Sequence, residues 1–189
     1  MQQNQLGDDM IRKRKEILLG VSGFTLVELM VTLGVISILG AVAFSMAAST
    51  VPRYNLRAEA RELVINFKKA KLEAMKYRRN VVIAFTPAAG AQTGSYQVFV
   101  DNNGNGTYEA ATDRHRIFQS MRQSVLLSSV TFTANRTWYT PQGMVTLAKT
   151  GNCELRMSDD SNRYRLVLST TGAVRVEASK DGGATWTVQ

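Results

Sequence analysis

The sequence predicts an α+β fold: one long N-terminal helix packed on antiparallel β-sheets. Three observations lead to it. An apolar run fills Gly23 to Ala48. Beyond Pro52, apolar residues recur every three or four positions as far as Arg79, the period of a helix with one buried stripe. Past Asn80 the period drops to two, and short strand-like runs alternate with turns. A helix followed by consecutive strands is the pattern of a segregated α+β domain.

The apolar run comes first. A transmembrane helix needs roughly 20 mostly apolar residues, so the length suits a bilayer. Its one charge, Glu28, does not suit a plain anchor. A carboxylate there costs on the order of 2.5–3.5 kcal/mol on insertion scales, and such residues usually have a partner and a task. The basic cluster Arg12-Lys13-Arg14-Lys15 lies just upstream. By the positive-inside rule it keeps the N-terminus cytoplasmic and sends the rest outward. Gly34, Gly40 and Pro52 loosen this helix, and Pro52 predicts a kink or short break.

Arg53–Arg79 then resumes as an amphipathic helix. Its stripe is Leu56, Ala60, Leu63, Val64, Phe67, Ala70, Ala74 and Met75. The other face is assigned nine basic residues (Arg53, Arg57, Arg61, Lys68, Lys69, Lys71, Lys76, Arg78, Arg79) and three acidic ones (Glu59, Glu62, Glu73). As near-continuous helix, Phe24 to Arg79 would span roughly 84 Å. The strands that cover the stripe begin with Val81–Phe85 and Tyr96–Val100. After the polar loop Asp101–Asp113 come Ile117-Phe118, Val125–Leu127, Val130–Phe132 and Trp138–Thr140. Met144–Ala148, Cys153–Met157, Arg163–Ser169 and Ala173–Ala178 continue the pattern, with a hairpin turn at Thr170-Thr171-Gly172 and an edge strand near Thr185–Val188.

Composition narrows the function. With 189 residues, one globular domain plus the helix is the natural count. Cys153 is the only cysteine, so no internal disulfide forms; in a strand-like run it reads as a buried small apolar residue. His115 is the only histidine, which excludes a histidine metal cluster and a histidine-based triad. No phosphate loop, zinc spacing or Gly-x-Ser-x-Gly appears, and no enzyme is expected.

Two clusters remain as candidate sites. Asp101, Asn103 and Asn105 stand at positions 1, 3 and 5 of an EF-hand-type loop, with Gly106 at position 6. Position 12 is Thr112 where a bidentate Glu belongs. Glu109, Asp113 and a backbone carbonyl complete an oxygen set for calcium. Asn and Gly are equally the residues of an ordinary hairpin loop, and both readings stay open. Lys68 and Lys69 could meet DNA phosphates in salt-dependent, sequence-blind contact, and Arg163, Arg165 and Arg175 form a second basic group, on the C-terminal hairpin, as candidate DNA contacts. The basic helix face reads first as a solvated surface, with acidic lipid, acidic subunits or nucleic acid as alternatives.

Gly23-Phe24-Thr25-Leu26-Val27-Glu28-Leu29, directly followed by the apolar run, resembles the processing motif of type IV prepilins and type II secretion pseudopilins. The resemblance implies cleavage after Gly23 by a prepilin peptidase/N-methyltransferase and N-methylation of Phe24. It implies that Glu28 meets the Phe24 amine of a neighbouring subunit during assembly. The divisions are then 1–23 leader, 24–48 transmembrane and assembly helix, 49–79 amphipathic continuation and 80–189 β-rich head. Loss of the leader leaves 19 basic and 12 acidic residues. The head resembles the FimT/FimU minor pilins and the GspH minor pseudopilin, through the helix from Ala58 leading into Val81–Phe85, through Phe99-Val100-Asp101 before the Asn/Gly loop, and through the closing hairpin. That branch implies a pilin-like fold and a subunit at filament initiation or at the tip, in a type IV pilus or a type II secretion pseudopilus. Its expected setting is the inner membrane with the head in the periplasm, then the filament; its partners are other pilin or pseudopilin subunits. Some FimT-like proteins carry a Gly-Arg-x-Arg motif linked to DNA uptake. Here the site reads Gly172-Ala173-Val174-Arg175, with Ala at the first Arg. Two alternatives stand beside the subunit reading: a pilus-tip DNA receptor, and a non-polymerising anchored calcium-binding module.

Overall fold

The computed structural model describes residues 23–189; the leader and its basic cluster lie outside the described residues. The chain divides into two compact units, one ending at Ala47 and one over Ala48–Gln189. A single helix, α1 (Leu26–Tyr77), contributes to both.

In the first unit α1 presents a 19-residue span, Leu26–Phe44, with a mean hydropathy of 2.3 and no buried residue. Pro52 lies within α1, and no break accompanies it. Of the expected kink or short break, the break is therefore absent. Proline removes one i→i−4 hydrogen bond, and the bonds on either side can hold the helix through that gap. Gly34 and Gly40 likewise sit inside the unbroken helix.

In the second unit Leu56, Ala60, Leu63, Phe67, Ala70 and Ala74 are all buried, at alternating steps of four and three. Full burial of a Leu or Phe stabilises by roughly 1.5–3 kcal/mol, so this stripe anchors the domain. Two members of the sequence assignment move. Met75 is exposed, because the stripe rotates past it after Ala74. Glu59, assigned to the polar face, is buried beside Leu56 and Leu63. Arg78, at φ 53°, ends the helix with a left-handed residue.

Nine strands follow: β1 (Asn80–Thr86), β2 (Ser95–Asp101), β3 (Arg114–Ser120), β4 (Val125–Val130), β5 (Arg136–Tyr139), β6 (Gly151–Met157), β7 (Arg163–Leu168), β8 (Val174–Ser179) and β9 (Thr187–Val188). They form two antiparallel sheets, ordered β3-β2-β1-β5 and β4-β6-β7-β8-β9. The two expected runs at Val125 and Val130 are one strand, which a register shift between Leu127 and Ser129 bends against β6. Met144–Ala148 is not a strand. Val145 donates one bond to Thr170 O at 2.9 Å, and Leu147–Lys149 turns into a 3₁₀ helix. With Met144 and Leu147 both exposed, little apolar burial holds this segment to a ladder.

Both sheets share one core with α1. Ile83 and Phe85 from one sheet and Leu127, Leu155 and Leu166 from the other join Leu63 and Phe67. Phe85 lies 5.4 Å from Phe132 and 6.1 Å from Phe67, so one aromatic group joins helix, first sheet and the end of β4. The opposite face of the first sheet is also covered. Val82 pairs across with Phe99 and Trp138, and Val82 and Phe99 are fully buried. Tyr108, from the loop after β2, meets Phe99 edge-on at 5.5 Å.

Candidate functional site

The first candidate site is the N-terminal end of α1. Gly23, Phe24 and Thr25 precede the helix, and the Phe24 side chain is exposed. Thr25 caps the helix: its carbonyl accepts from Leu29 N at 3.1 Å and its Oγ1 from Glu28 N at 3.2 Å. Thr-x-x-Glu is the spacing of a capping box, so Thr25 fixes where the helix starts and places Glu28 in its first turn. Sequence reasoning missed this cap, although its spacing is legible in the heptad. Phe24, just before the helix, and Glu28, in its first turn, lie on an otherwise apolar surface that no other described residue covers. A carboxylate so placed has no cationic partner among the described residues.

The loop after β2 brings Asp101, Asn103, Asn105, Glu109 and Asp113 together. Asp101 is buried and accepts from Gly104 N at 2.7 Å and Gly106 N at 2.8 Å. Asp113, also buried, accepts from Asn102 N at 3.1 Å and Glu109 N at 2.8 Å. Asn103 and Asn105 donate their side-chain amides to the two oxygens of Glu109, at 3.0 and 2.7 Å. Arg136 holds the loop from outside through Gly106 O at 3.0 Å and Thr107 Oγ1 at 2.9 Å. This geometry holds the loop whose Tyr108 packs on Phe99. Calcium would take oxygens that now accept backbone and side-chain amides. No group of three or more His, Cys, Asp or Glu side chains is arranged for a metal among the described residues.

The three C-terminal arginines also come together, but with carboxylates. Arg165 donates Nε and Nη2 to one oxygen of Glu177 at 2.9 and 2.6 Å. Arg175 reaches the other at 2.7 Å. Arg163 grips Asp160 at 3.2 and 2.7 Å and lies 3.8 Å from Glu154. Arg165 further stacks on Trp186, 4.1 Å from the ring centre. The Arg165 hydrogen bonds hold Glu177 below its usual range. The group expected to be a free basic patch is thus largely neutralised, because β7 and β8 pair Arg165 directly with Glu177.

Cys153 is fully buried between neighbours of β4 and β7, as its apolar run implied, and burial pushes its thiol far up. The His115 side chain lies outside the described residues.

The family model of the type II transport protein GspH matches residues 59–172, well over half of the chain. The chain belongs to the GspH family. The prokaryotic N-terminal methylation motif matches residues 19–44, which contain the Thr25-capped helix start. The pilin-like protein PilA1 of Thermus thermophilus is 36% identical over 90 residues, 46% of this chain and 53% of that protein. The chain thus matches about half the length of that curated relative. The minor pseudopilin EpsH of the type 2 secretion system of Vibrio cholerae aligns over 65% of this chain and 95% of its own, at a TM-score of 0.48 and 10% identity. This family member has the α+β architecture expected of it: the apolar N-terminal helix followed by two antiparallel sheets.

Proposed function

We propose that the chain is a minor pilin or pseudopilin subunit. It is cleaved between Gly23 and Phe24, N-methylated on Phe24, and assembled through α1 into a type IV pilus or a type II secretion pseudopilus, at initiation or at the tip. One observation carries this reading. The methylation motif ends in a helix whose 19-residue apolar span is uncovered among the described residues and holds a single carboxylate in its first turn. An apolar helix that no other described residue covers calls for lipid first and neighbouring helices afterwards. A carboxylate there calls for a cation. Cleavage creates one, the Phe24 amine, so processing and assembly are chemically linked. Before assembly the helix holds the chain in the inner membrane, with the head in the periplasm.

The test uses the full chain in a host that makes the machinery. Mass spectrometry of the processed protein should show an N-terminus at methylated Phe24, and Gly23→Val should leave the precursor uncut. Glu28→Leu should be processed normally yet be lost from the sheared filament fraction. Incorporation of Glu28→Leu at the wild-type level would sink the assembly role.

A further inference from the structure

A groove of about 540 Å³ lies between α1 and the five-stranded sheet. Val64 and Ile65 of α1 and Tyr164 and Val176 of β7 and β8 line it, with Arg57 and Arg61 beside it. Ile65 is exposed and Val64 only half-buried, so α1 does not close the groove with its own apolar residues. Arg57 and Arg61 are exposed, and neither pairs with a carboxylate among the described residues. This contrasts with Arg163, Arg165 and Arg175, which are all paired.

We infer that this groove docks an amphipathic helix of a different subunit, one with acidic residues at i and i+4 beside its apolar stripe. The inference rests on the subunit reading above. The groove runs along residues 57–65, about 12 Å of helix, which is room for two turns of a partner. Its floor is apolar, while one side carries two cations a single turn apart. Carboxylates four residues apart on a helix share a face at the matching spacing. The same charges exclude a second copy of this chain. The corresponding helix here has nine basic and three acidic residues over 53–79, and one of the acids, Glu59, is buried. A like copy would set arginine against arginine, and like-charge contact is how interfaces reject wrong partners. The groove therefore selects a heteromeric neighbour.

The test places the full chain in phosphatidylcholine nanodiscs, with a fluorophore on Ile65→Cys; the native Cys153 is buried. Two synthetic 18-residue Leu/Ala helices are titrated, one with Glu and one with Lys at the i, i+4 pair. The Glu helix should bind at least ten-fold more tightly than the Lys helix. Arg57→Glu with Arg61→Glu, both at exposed positions, should reverse that order. Equal binding of the two helices, or an order that the double variant leaves unchanged, overturns the proposal. Disulfide cross-linking of unlabelled Ile65→Cys chains to each other would show a second copy in the groove and overturn it too. So would phosphatidylglycerol vesicles that shield the introduced thiol from labelling when the Glu helix does not. None of these readouts needs a filament. Loss of assembly in Glu28→Leu therefore leaves the groove result standing, and failure at the groove leaves the assembly result standing.

Discussion

The Arg122 guanidinium lies 3.3 Å from Oε1 of Glu59, a carboxylate whose side chain is fully buried while the arginine remains 44% exposed. Arg122 meets Glu59 through its guanidinium and, more weakly, through its backbone N–H. Burial raises the Glu59 pKa, and Arg122 offsets this only in part. In the interval just above the ordinary glutamate value of 4.5, the folded protein therefore keeps a proton that the unfolded chain has released. Stability from this group falls as pH rises through that interval. Asp160 and Glu177, held low by Arg163 and Arg165, act oppositely and lose their contribution as pH falls through the acid range. Thermal melts of the full chain should thus peak at mildly acidic pH. Glu59→Gln removes the titrating charge while keeping the shape, and should flatten that decline. A Glu59→Gln melt that keeps the wild-type pH dependence would refute this account.

Asp101 is predicted to be a structural keystone of the loop over the first sheet. Asp101→Ala leaves the amides of Gly104 and Gly106 without acceptors and should cost about 1–3 kcal/mol. Hydrogen exchange at those two amides should rise with it. The same melts with calcium and with chelator examine the calcium expectation. An upward shift that Asp101→Asn abolishes supports it, and an unmoved melting temperature removes it.

Gly172→Ala is expected to destabilise by more than about 2 kcal/mol. The residue has φ 71°, a conformation that a side chain strains. An added Cβ would also meet Gly143 O and lie 2.9 Å from Tyr139 Cε1. Chemical denaturation gives the number, and an unchanged midpoint would show that the turn can shift.

Nucleic acid binding at the C-terminal hairpin should be weak at physiological salt, since Glu177 holds both Arg165 and Arg175. Glu177→Gln frees those two cations and should strengthen binding in a gel shift while steepening its salt dependence. Strong retardation of the wild type that Glu177→Gln leaves unaltered would place nucleic acid elsewhere on the chain.

Cys153 should resist thiol reagents in the native state and react at the rate of unfolding, because its sulfur is buried and its thiol is held protonated. Labelling followed by mass spectrometry through a denaturant series checks this, and rapid native labelling would contradict the burial.

Much of the architecture was legible in the residues. The heptad Gly23–Leu29, the steps from Leu56 to Ala74, the apolar run of β1 and the alternation in β2 and β6 are local signals, and backbone geometry alone turns them into a helix end, a stripe and strands. Thr25 belongs with them, as its capping role follows from a spacing of three. What only the tertiary structure decided depends on neighbours distant in sequence. Glu59 reads as a surface acid until Arg122, 63 positions on, comes to stand beside it. Arg165 and Arg175 read as a free basic pair until strand pairing sets Glu177 against both. Met144–Ala148 reads as a strand yet joins neither sheet. The groove beside Arg57 joins residues of α1 to Tyr164 and Val176, about a hundred positions on. Periodicity reports which face a residue occupies. The charge it meets there, and whether anything covers it, is set by long-range packing that no local pattern encodes.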